Sequence, residues 1–317
     1  MNREEIDQFH ADALAGLAAE PKSLPCKYLY DERGSELFES ICETADYYVT
    51  RADLALHEAH LDEIESAIGP DAHVIEFGSG AGIKIRKILG HADHLRAYTP
   101  IEISAEALAQ SVAALAEQFP EMEIRPLEAD YTQDIPAEHF DLDPPARRRV
   151  IYFPGSTISN FTHAEAHAFI TRMANIAGPG GGALIGVDLI KPTERLERAY
   201  NDADGVTAAF NTNLLRRLEA DLGARLEIDA FEHRAIYNED RQRIEMHLVA
   251  SRPTTIELDG KRFDFDTDDS IHTENSHKYS IEGFRKLVKG TGLHPVTTWT
   301  DPDGLFSMHY LETDMKP

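Results

Sequence analysis

The stretch Val74-Ile75-Glu76-Phe77-Gly78-Ser79-Gly80-Ala81-Gly82-Ile83-Lys84-Ile85 constrains the fold more than any other. A short apolar run carries one acid, Glu76, and breaks into three glycines before a segment able to be helical. That is the pattern of a strand, a tight turn and a crossover helix. Glycine in such a turn tolerates positive φ and has no Cβ to keep a ligand from the backbone. The spacing Gly78-x-Gly80-x-Gly82 is not the G-x-G-x-x-G of a dinucleotide fingerprint. A second acid, Glu102, ends a second apolar segment about 20 residues past Gly82, where an adenosine ribose needs a carboxylate. A glycine turn with no ligand is the simpler alternative, and the second acid counts against it.

The rhythm around this stretch is β-α-β. Strands are expected at 74–77, 95–103, 124–128, 150–154 and 183–190, with helices near 83–89 and 104–119 and a capping box of Thr162 with Glu165 opening another. Such alternation predicts a doubly wound parallel sheet with ligands at the carboxyl ends of its strands. Residues 78–82, Glu102, Asp130 and 155–160 all fall there. Before it, helices are expected over 3–19 and 31–44, and Thr50, with Asp53 three residues on, reads as the cap of a third. After it come helical leucines at 214–222, an alternating strand at Ile244, Met246 and Leu248, and a hairpin turning at Asp259-Gly260. The sequence predicts a helix over 280–289 and a last antiparallel pair at 293–300 and 305–312. The fold class is therefore α/β, with a discontinuous second lobe. One domain is expected to take 52–191 plus 281–317, and an α+β lobe 1–51 plus 192–280.

Composition narrows the function. The 317 residues carry 31 basic and 56 acidic side chains, a net charge of −25 that repels nucleic acid and anionic lipid. Arg147-Arg148-Arg149 is the one tight basic cluster and reads as the solvated start of a strand. No apolar run is long enough to span a membrane and no secretory signal is visible, so neither membrane nor nucleic-acid partners are expected. Two cysteines, Cys26 and Cys42, fit a reducing cytoplasm rather than a disulfide framework. The 15 histidines show no ligand spacing. His57-Glu58-Ala59-His60 lacks the H-e-x-x-H spacing of a zinc helix, so the histidines are read as surface residues and no metal is expected. Ser156 and Ser159 lie outside any G-x-S-x-G elbow, which disfavours a hydrolase.

An acid leading into G-x-G-x-G resembles the first motif of class I S-adenosylmethionine-dependent methyltransferases. Further motifs narrow the resemblance. They are Lys22-Ser23-Leu24-Pro25, Tyr30-Asp31-x-x-Gly34-Ser35-x-Leu37-Phe38, Tyr47-Tyr48-x-Thr50-Arg51 and Phe153-Pro154-Gly155-Ser156-Thr157-Ile158-x-Asn160. Ala199-Tyr200-x-Asp202, Phe210-Asn211-x-Asn213, Ile244-Glu245-Met246 and Thr273-Glu274-x-Ser276-x-Lys278 complete them. In this order, over residues 22–306, they resemble the L-histidine Nα-methyltransferases of ergothioneine biosynthesis.

The resemblance implies a Rossmann-like class I methyltransferase sheet, S-adenosylmethionine as cofactor and L-histidine as substrate, trimethylated to hercynine; a cytoplasmic monomer is expected. It places Gly78, Gly80 and Lys84 on the methionyl side of the cofactor, Glu102 on the ribose, where the family more often has Asp, and Asp130 and Tyr131 beside adenine. It assigns the substrate carboxylate to Asn160 and Tyr200, and the amine to Gly155 and Asn160 with Tyr30 nearby. Tyr47, Glu274 and Ser276 would read the imidazole, with Met246 lining that side. Taken singly, Tyr47-Tyr48 and Met246 also read as packing, and Glu274 as a solvated acid. Two alternatives stay open: an N-methyltransferase for another aromatic amino acid or amine such as a tryptophan derivative, and a cofactor-binding scaffold without turnover.

Overall fold

The computed structural model describes residues 3–80, 82–91 and 94–315. Its contacts divide the chain into two units, Met1–Tyr48 with Lys191–His277, and Val49–Ile190 with Lys278–Pro317. In chain order, α1 (Arg3–Ala18), α2 (Glu32–Glu43) and α3 (Val49–Ile68) come first. The alternating region is β1 (Ala72–Phe77), α4 (Ile85–Leu89), β2 (Ala97–Glu102), α5 (Ala105–Gln118), β3 (Leu127–Glu128), β4 (Arg148–Phe153), α6 (His163–Ala177) and β5 (Gly182–Asp188). Then follow α7 (Thr193–Tyr200), α8 (Val206–Leu222), β6 (Phe231–Asn238), β7 (Arg243–Ala250), β8 (Thr254–Leu258), β9 (Lys261–Phe265) and β10 (Ser270–His277). The last elements are α9 (Ile281–Val288), β11 (Leu293–Thr300) and β12 (Phe306–Thr313).

The larger unit is built on one sheet in the order β11-β12-β5-β4-β1-β2-β3. β1 runs parallel to both β2 and β4, and β4 to β5. β12 runs antiparallel between β5 and β11. This is the Rossmann-like class I methyltransferase sheet that the residue pattern predicts. β1 is buried along its whole length because helices cover both faces, which explains its unbroken apolar run. The strand order reverses between β1 and β4, so a crevice opens at their carboxyl ends. A core of Ile75, Phe77, Ile151, Phe153, Phe169 and Ile185 holds α6 against the sheet beneath that crevice. The Thr162–Glu165 capping box forms with both arms made, and Ser104 and Ser280 cap α5 and α9.

In the smaller unit, β10, β7 and β6 form an antiparallel sheet against which α8 packs, with α1 and α2 on α8. The β8–β9 hairpin turns at Asp259 (φ 51) and Gly260 (φ 71), the two left-handed residues of a type I′ turn. Among the described residues no helix is long and apolar enough to cross a membrane.

Several expectations are corrected. α3 starts at Val49, so Thr50 lies inside its first turn and caps nothing, while Asp53 is fully buried. Arg148 and Arg149 are half-buried within β4 rather than solvated, Arg148 reaching Glu312 at 2.9 Å. Residues 270–277 form a strand whose Glu274 and Ser276 are buried, which sets aside the alternative of Glu274 as a solvated acid. The histidines are not all on the surface: His57, His73, His277 and His309 are buried. Partners explain this. His73 Nε2 meets Thr99 Oγ1 at 2.7 Å and His309 Nε2 meets Ser307 Oγ at 3.0 Å. Burial depresses the His73 ring to about 4 and the His309 ring to about 3, so both are structural neutral imidazoles at neutral pH.

A buried ion pair ties the end of β5 to the segment leading into α9: Lys278 Nζ lies 2.8 Å from Asp188 Oδ2, both side chains without solvent exposure. Removing one partner leaves a buried charge without its counter-ion. Lys278→Met is therefore expected to lower unfolding stability by about 3–5 kcal/mol, and Lys278→Met with Asp188→Asn by clearly less. Urea titration checks this, and equal losses in the single and double variants would contradict it.

Candidate active site

The glycine turn follows β1. Gly78, Gly80 and Gly82 all take positive φ (71, 48 and 65°), which L side chains rarely adopt. The main-chain N–H groups of Gly78 and Ser79 donate to the Ile101 carbonyl at 2.9 and 3.2 Å and fasten the turn to β2. A Cβ on Gly78 would sit 3.2 Å from the Tyr131 ring, whereas one on Gly80 would meet nothing within 4 Å. The turn is thus close-packed on the Tyr131 side and open at Gly80.

Glu102, at the end of β2, faces this turn. Its Oε2 accepts from Gly80 N–H at 3.2 Å and its Oε1 from Ile103 N–H at 2.9 Å. Ile103 beside it is 41% exposed, an apolar surface next to a fixed carboxylate. Asp130 follows β3. Its Oδ1 accepts from the Thr132 N–H at 2.8 Å and from the Thr132 hydroxyl at 2.6 Å, and Oδ2 accepts no hydrogen bond among the described residues. Tyr131 packs in a ring cluster with Phe77, Phe153 and Phe169. A cavity of about 120 Å³ lies beside that cluster, and of the six cofactor candidates only Tyr131 lines it.

The second turn of the crevice follows β4. Gly155 has φ +74°, and Ser156 is left-handed too, at +62°. The next residues form a single 3-10 turn, Thr157–Asn160, whose last member is the half-buried Asn160. A Cβ on Gly155 would come within 2.7 Å of Lys84 Nζ. The structure thus brings Lys84 and Gly155 together, and with Gly78, Gly80, Glu102 and Asp130 the carboxyl edge offers open backbone, two fixed carboxylates and one ammonium. These groups fit a ligand carrying a diol, a purine and an amino-acid end.

Glu76, inside β1, is 2% exposed and accepts a hydrogen bond from the Tyr98 hydroxyl. Burial pushes its carboxyl up to about 8, Glu102 and Asp53 adding to the shift while Tyr98 and Lys84 oppose it. It holds a proton at neutral pH.

In the smaller unit the aromatic candidates meet. Tyr47 and Tyr200 lie edge to face at 5.9 Å, and Tyr30 contacts Phe38 at 5.6 Å and Phe210 at 5.3 Å. The Tyr200 and Ser276 hydroxyls are 2.8 Å apart. Met246 pairs with Glu274 across β7 and β10, so both belong to the same patch of sheet. Tyr47 stays protonated because burial, then Tyr200, Cys42, Tyr30 and Glu274, push its phenol well up.

Other motif residues hold this cluster in place. Asp31 caps α2 by accepting from Gly34 N–H at 2.8 Å and also accepts from the Asn213 amide at 2.7 Å, which fixes the chain beside Tyr30. Gly34 is required because a Cβ there would lie 1.7 Å from the Leu29 carbonyl oxygen. Asp202 accepts from the Val206 and Thr207 N–H groups at 2.8 Å each and fixes the turn after Tyr200. Asn211 is saturated. Its amide donates to His233 Nδ1 at 2.9 Å and to the His247 carbonyl at 3.0 Å, while its oxygen accepts from the Thr273 hydroxyl at 2.6 Å. His233 then donates through Nε2 to the Tyr200 carbonyl at 2.7 Å. Reading the sequence for ligand contacts missed these supports. The Asp-x-x-Gly and Asn-x-Asn spacings were the signals available.

The profile of the histidine-specific, S-adenosylmethionine-dependent methyltransferase family matches residues 9–313. The chain belongs to this family. The histidine N-alpha-methyltransferase of Mycolicibacterium smegmatis is 39% identical over 310 residues, covering 95% of this chain and 94% of that protein. That of Mycobacterium tuberculosis is 36% identical over 302 residues, covering 94% and 92%. Ergothioneine biosynthesis protein 1 of Neurospora crassa is 30% identical over 289 residues, covering 88% of this chain and 32% of that longer protein. As a histidine-specific methyltransferase the chain is an enzyme that takes its methyl group from S-adenosylmethionine.

The protonated Glu76 gives this methyltransferase a testable pH signature. Unfolded, the carboxyl has an ordinary value of 4.5; folded, about 8. The folded state binds more proton between those limits, so this contribution is full below about pH 4.5 and is lost as pH rises through about 8. Glu76→Gln keeps the shape and cannot ionise. It is expected to remove a downward slope of up to about 1.4 kcal/mol per pH unit from urea-unfolding stability across that window. A slope that the substitution leaves unchanged would show Glu76 ionised in the fold.

Proposed function

We propose that this enzyme transfers three methyl groups in succession from S-adenosylmethionine to the α-amine of L-histidine, giving hercynine. The observation that carries the reading is the cluster in the smaller unit: tyrosine rings, a buried carboxylate and a hydroxyl pair drawn from four separated motifs. S-adenosylmethionine supplies a methyl carried on a sulfonium, ready for in-line displacement by an amine lone pair. The protein's part is mainly alignment, which can account for several kcal/mol of a barrier.

In this reading the larger unit binds the cofactor and carries Gly155 and Asn160 for the substrate's amine, and the smaller one carries the groups for its imidazole. Glu102 accepts the ribose hydroxyls, Gly78, Gly80 and Lys84 face the methionyl end, and Asp130 and Tyr131 flank adenine, with Ile103 against the purine. Gly155 and Asn160 orient the amine and Asn160 also meets the carboxylate; polar and uncharged, they permit the ammonium to lose its proton to solvent before each transfer. Tyr200 meets the carboxylate as well, and Tyr30 lies towards the amine. Tyrosine faces tolerate the growing charge of the quaternary product through cation–π attraction. Tyr47, Glu274 and Ser276 read the imidazole, with Met246 along its side. Glu274 accepting from an imidazole N–H makes a charge-assisted bond that an indole or phenyl side chain of different shape does not reproduce. The net charge of −25 supports a small-molecule substrate rather than a nucleic-acid partner, and two cysteines outside any disulfide support a cytoplasmic setting.

Two variants test the assignment, with turnover followed by release of S-adenosylhomocysteine. Glu274→Ala with Met246→Ala is expected to lower kcat/KM for histidine by about ten- to a hundredfold and to shift preference towards tryptophan. Full retention of histidine selectivity would overturn the pocket assignment. Asn160→Ala is expected to raise KM for histidine strongly while S-adenosylhomocysteine binding stays intact; unchanged histidine kinetics would remove Asn160 from the site.

A further inference from the structure

Asp53 has no place in the assignments above, yet three elements of the larger unit converge on it. It lies in α3 and has no solvent exposure. Its Oδ2 accepts from the Gly155 N–H at 2.9 Å and lies 3.4 Å from Lys84 Nζ. One oxygen therefore serves both the turn after β4 and the cation that follows the glycine turn. Its Oδ1 lies 3.3 Å from His57 Nδ1. His57 in turn is held from both ends. Nδ1 donates to the Asp53 carbonyl at 2.8 Å, and Nε2 accepts from the Tyr152 hydroxyl at 2.7 Å. Burial keeps the Tyr152 phenol protonated and so fixes it as the donor.

We propose that Asp53 is a positioning residue that sets the Lys84 ammonium at the end of β4 and so fixes the point at which the amino-acid end of the cofactor is received. The inference rests on the reading that Lys84 meets the methionyl carboxylate. Lysine is a flexible four-carbon stem whose rotamer freedom must be given up on binding if nothing holds it. A buried carboxylate 3.4 Å from Nζ removes most of that freedom beforehand. Lys84 stays 22% exposed, so its ammonium, with three donors, can meet Asp53 with one and a ligand carboxylate with the others. The pairing is mutual. Burial alone would push the Asp53 carboxyl up; Lys84, His57 and the Gly155 N–H outweigh that and hold it below the ordinary carboxylate range. Gly155 closes the arrangement from the other side, since a Cβ there would lie 2.7 Å from the same ammonium.

The test is binding rather than turnover. S-adenosylhomocysteine carries the amino-acid end and 5′-methylthioadenosine lacks it; both are titrated by calorimetry into wild type, Asp53→Asn, Lys84→Met and the double variant. Asp53→Asn is expected to weaken S-adenosylhomocysteine by about tenfold and to leave methylthioadenosine unchanged. In the Lys84→Met background it is expected to add little, because the group it positions is gone. Equal weakening of both ligands, or additive losses in the double variant, would make Asp53 a purely structural residue and overturn the proposal. If Lys84→Met alone leaves S-adenosylhomocysteine binding intact, it is the reading of Lys84 that fails. Gly155→Ala is a second route to the same displacement, pressing a Cβ against the ammonium while the Asp53 side chain itself is kept. It is expected to show the same split between the two ligands, and unchanged S-adenosylhomocysteine binding in it would also overturn the proposal.

Discussion

The reversal of strand order between β1 and β4 is the constraint on which the larger unit depends. Adjacent parallel strands on the two sides of that point send their chains to opposite faces of the sheet, which opens a gap at their carboxyl ends. Both chains leave through glycines in left-handed conformations, Gly78 and Gly155. Polar groups stand at the gap, among them the Glu102 and Asp130 carboxylates held by N–H groups and the Lys84 ammonium, while the N–H of Gly155 is turned inward to Asp53. The sheet supplies a rigid edge, the glycines supply access, and buried charge fixes what is exposed there.

The smaller unit solves a different problem. Its aromatic cluster lies partly on loops and helix ends, which carry little rigidity of their own. The rigidity comes from saturated side-chain hydrogen bonds one step behind the rings. Asp31 and Asn213 stand behind Tyr30, Asp202 and His233 behind Tyr200, and Asn211 with Thr273 behind Glu274. Each bond is worth about 1 kcal/mol net, but leaving its buried partner unmatched costs more. Rings set in this way lose little freedom when a ligand arrives, which is what preorganisation contributes to affinity and rate.

Much of the larger unit was legible in the sequence because its signals are local. Apolar runs, glycine turns and caps such as Thr162 with Glu165 depend on neighbours in the chain, and they predicted the parallel strands in order. What was not legible depended on distant partners. Asp53 reads as an ordinary acid near a helix start; its burial follows from Gly155, 102 residues away. His73 and His309 read as surface residues until Thr99 and Ser307 are seen beside them. β10 carries His272, Glu274, Asn275, Ser276 and His277, a polar run with no strand periodicity, and it becomes a strand because β7 pairs with it. For the site, the resemblance to the histidine methyltransferases pointed to Tyr30, Tyr47, Tyr200, Met246, Glu274 and Ser276, and these do share one unit. The supporting residues were written in the same motifs, but their job becomes visible only once their hydrogen bonds are.

The most direct test of the account is mass spectrometry of the purified protein incubated with S-adenosylmethionine and an equimolar mixture of the common amino acids. The account predicts one product, histidine carrying three added methyl groups on its α-nitrogen. A methylated product from another amino acid, or no methylated amino acid with the cofactor still bound, would contradict it.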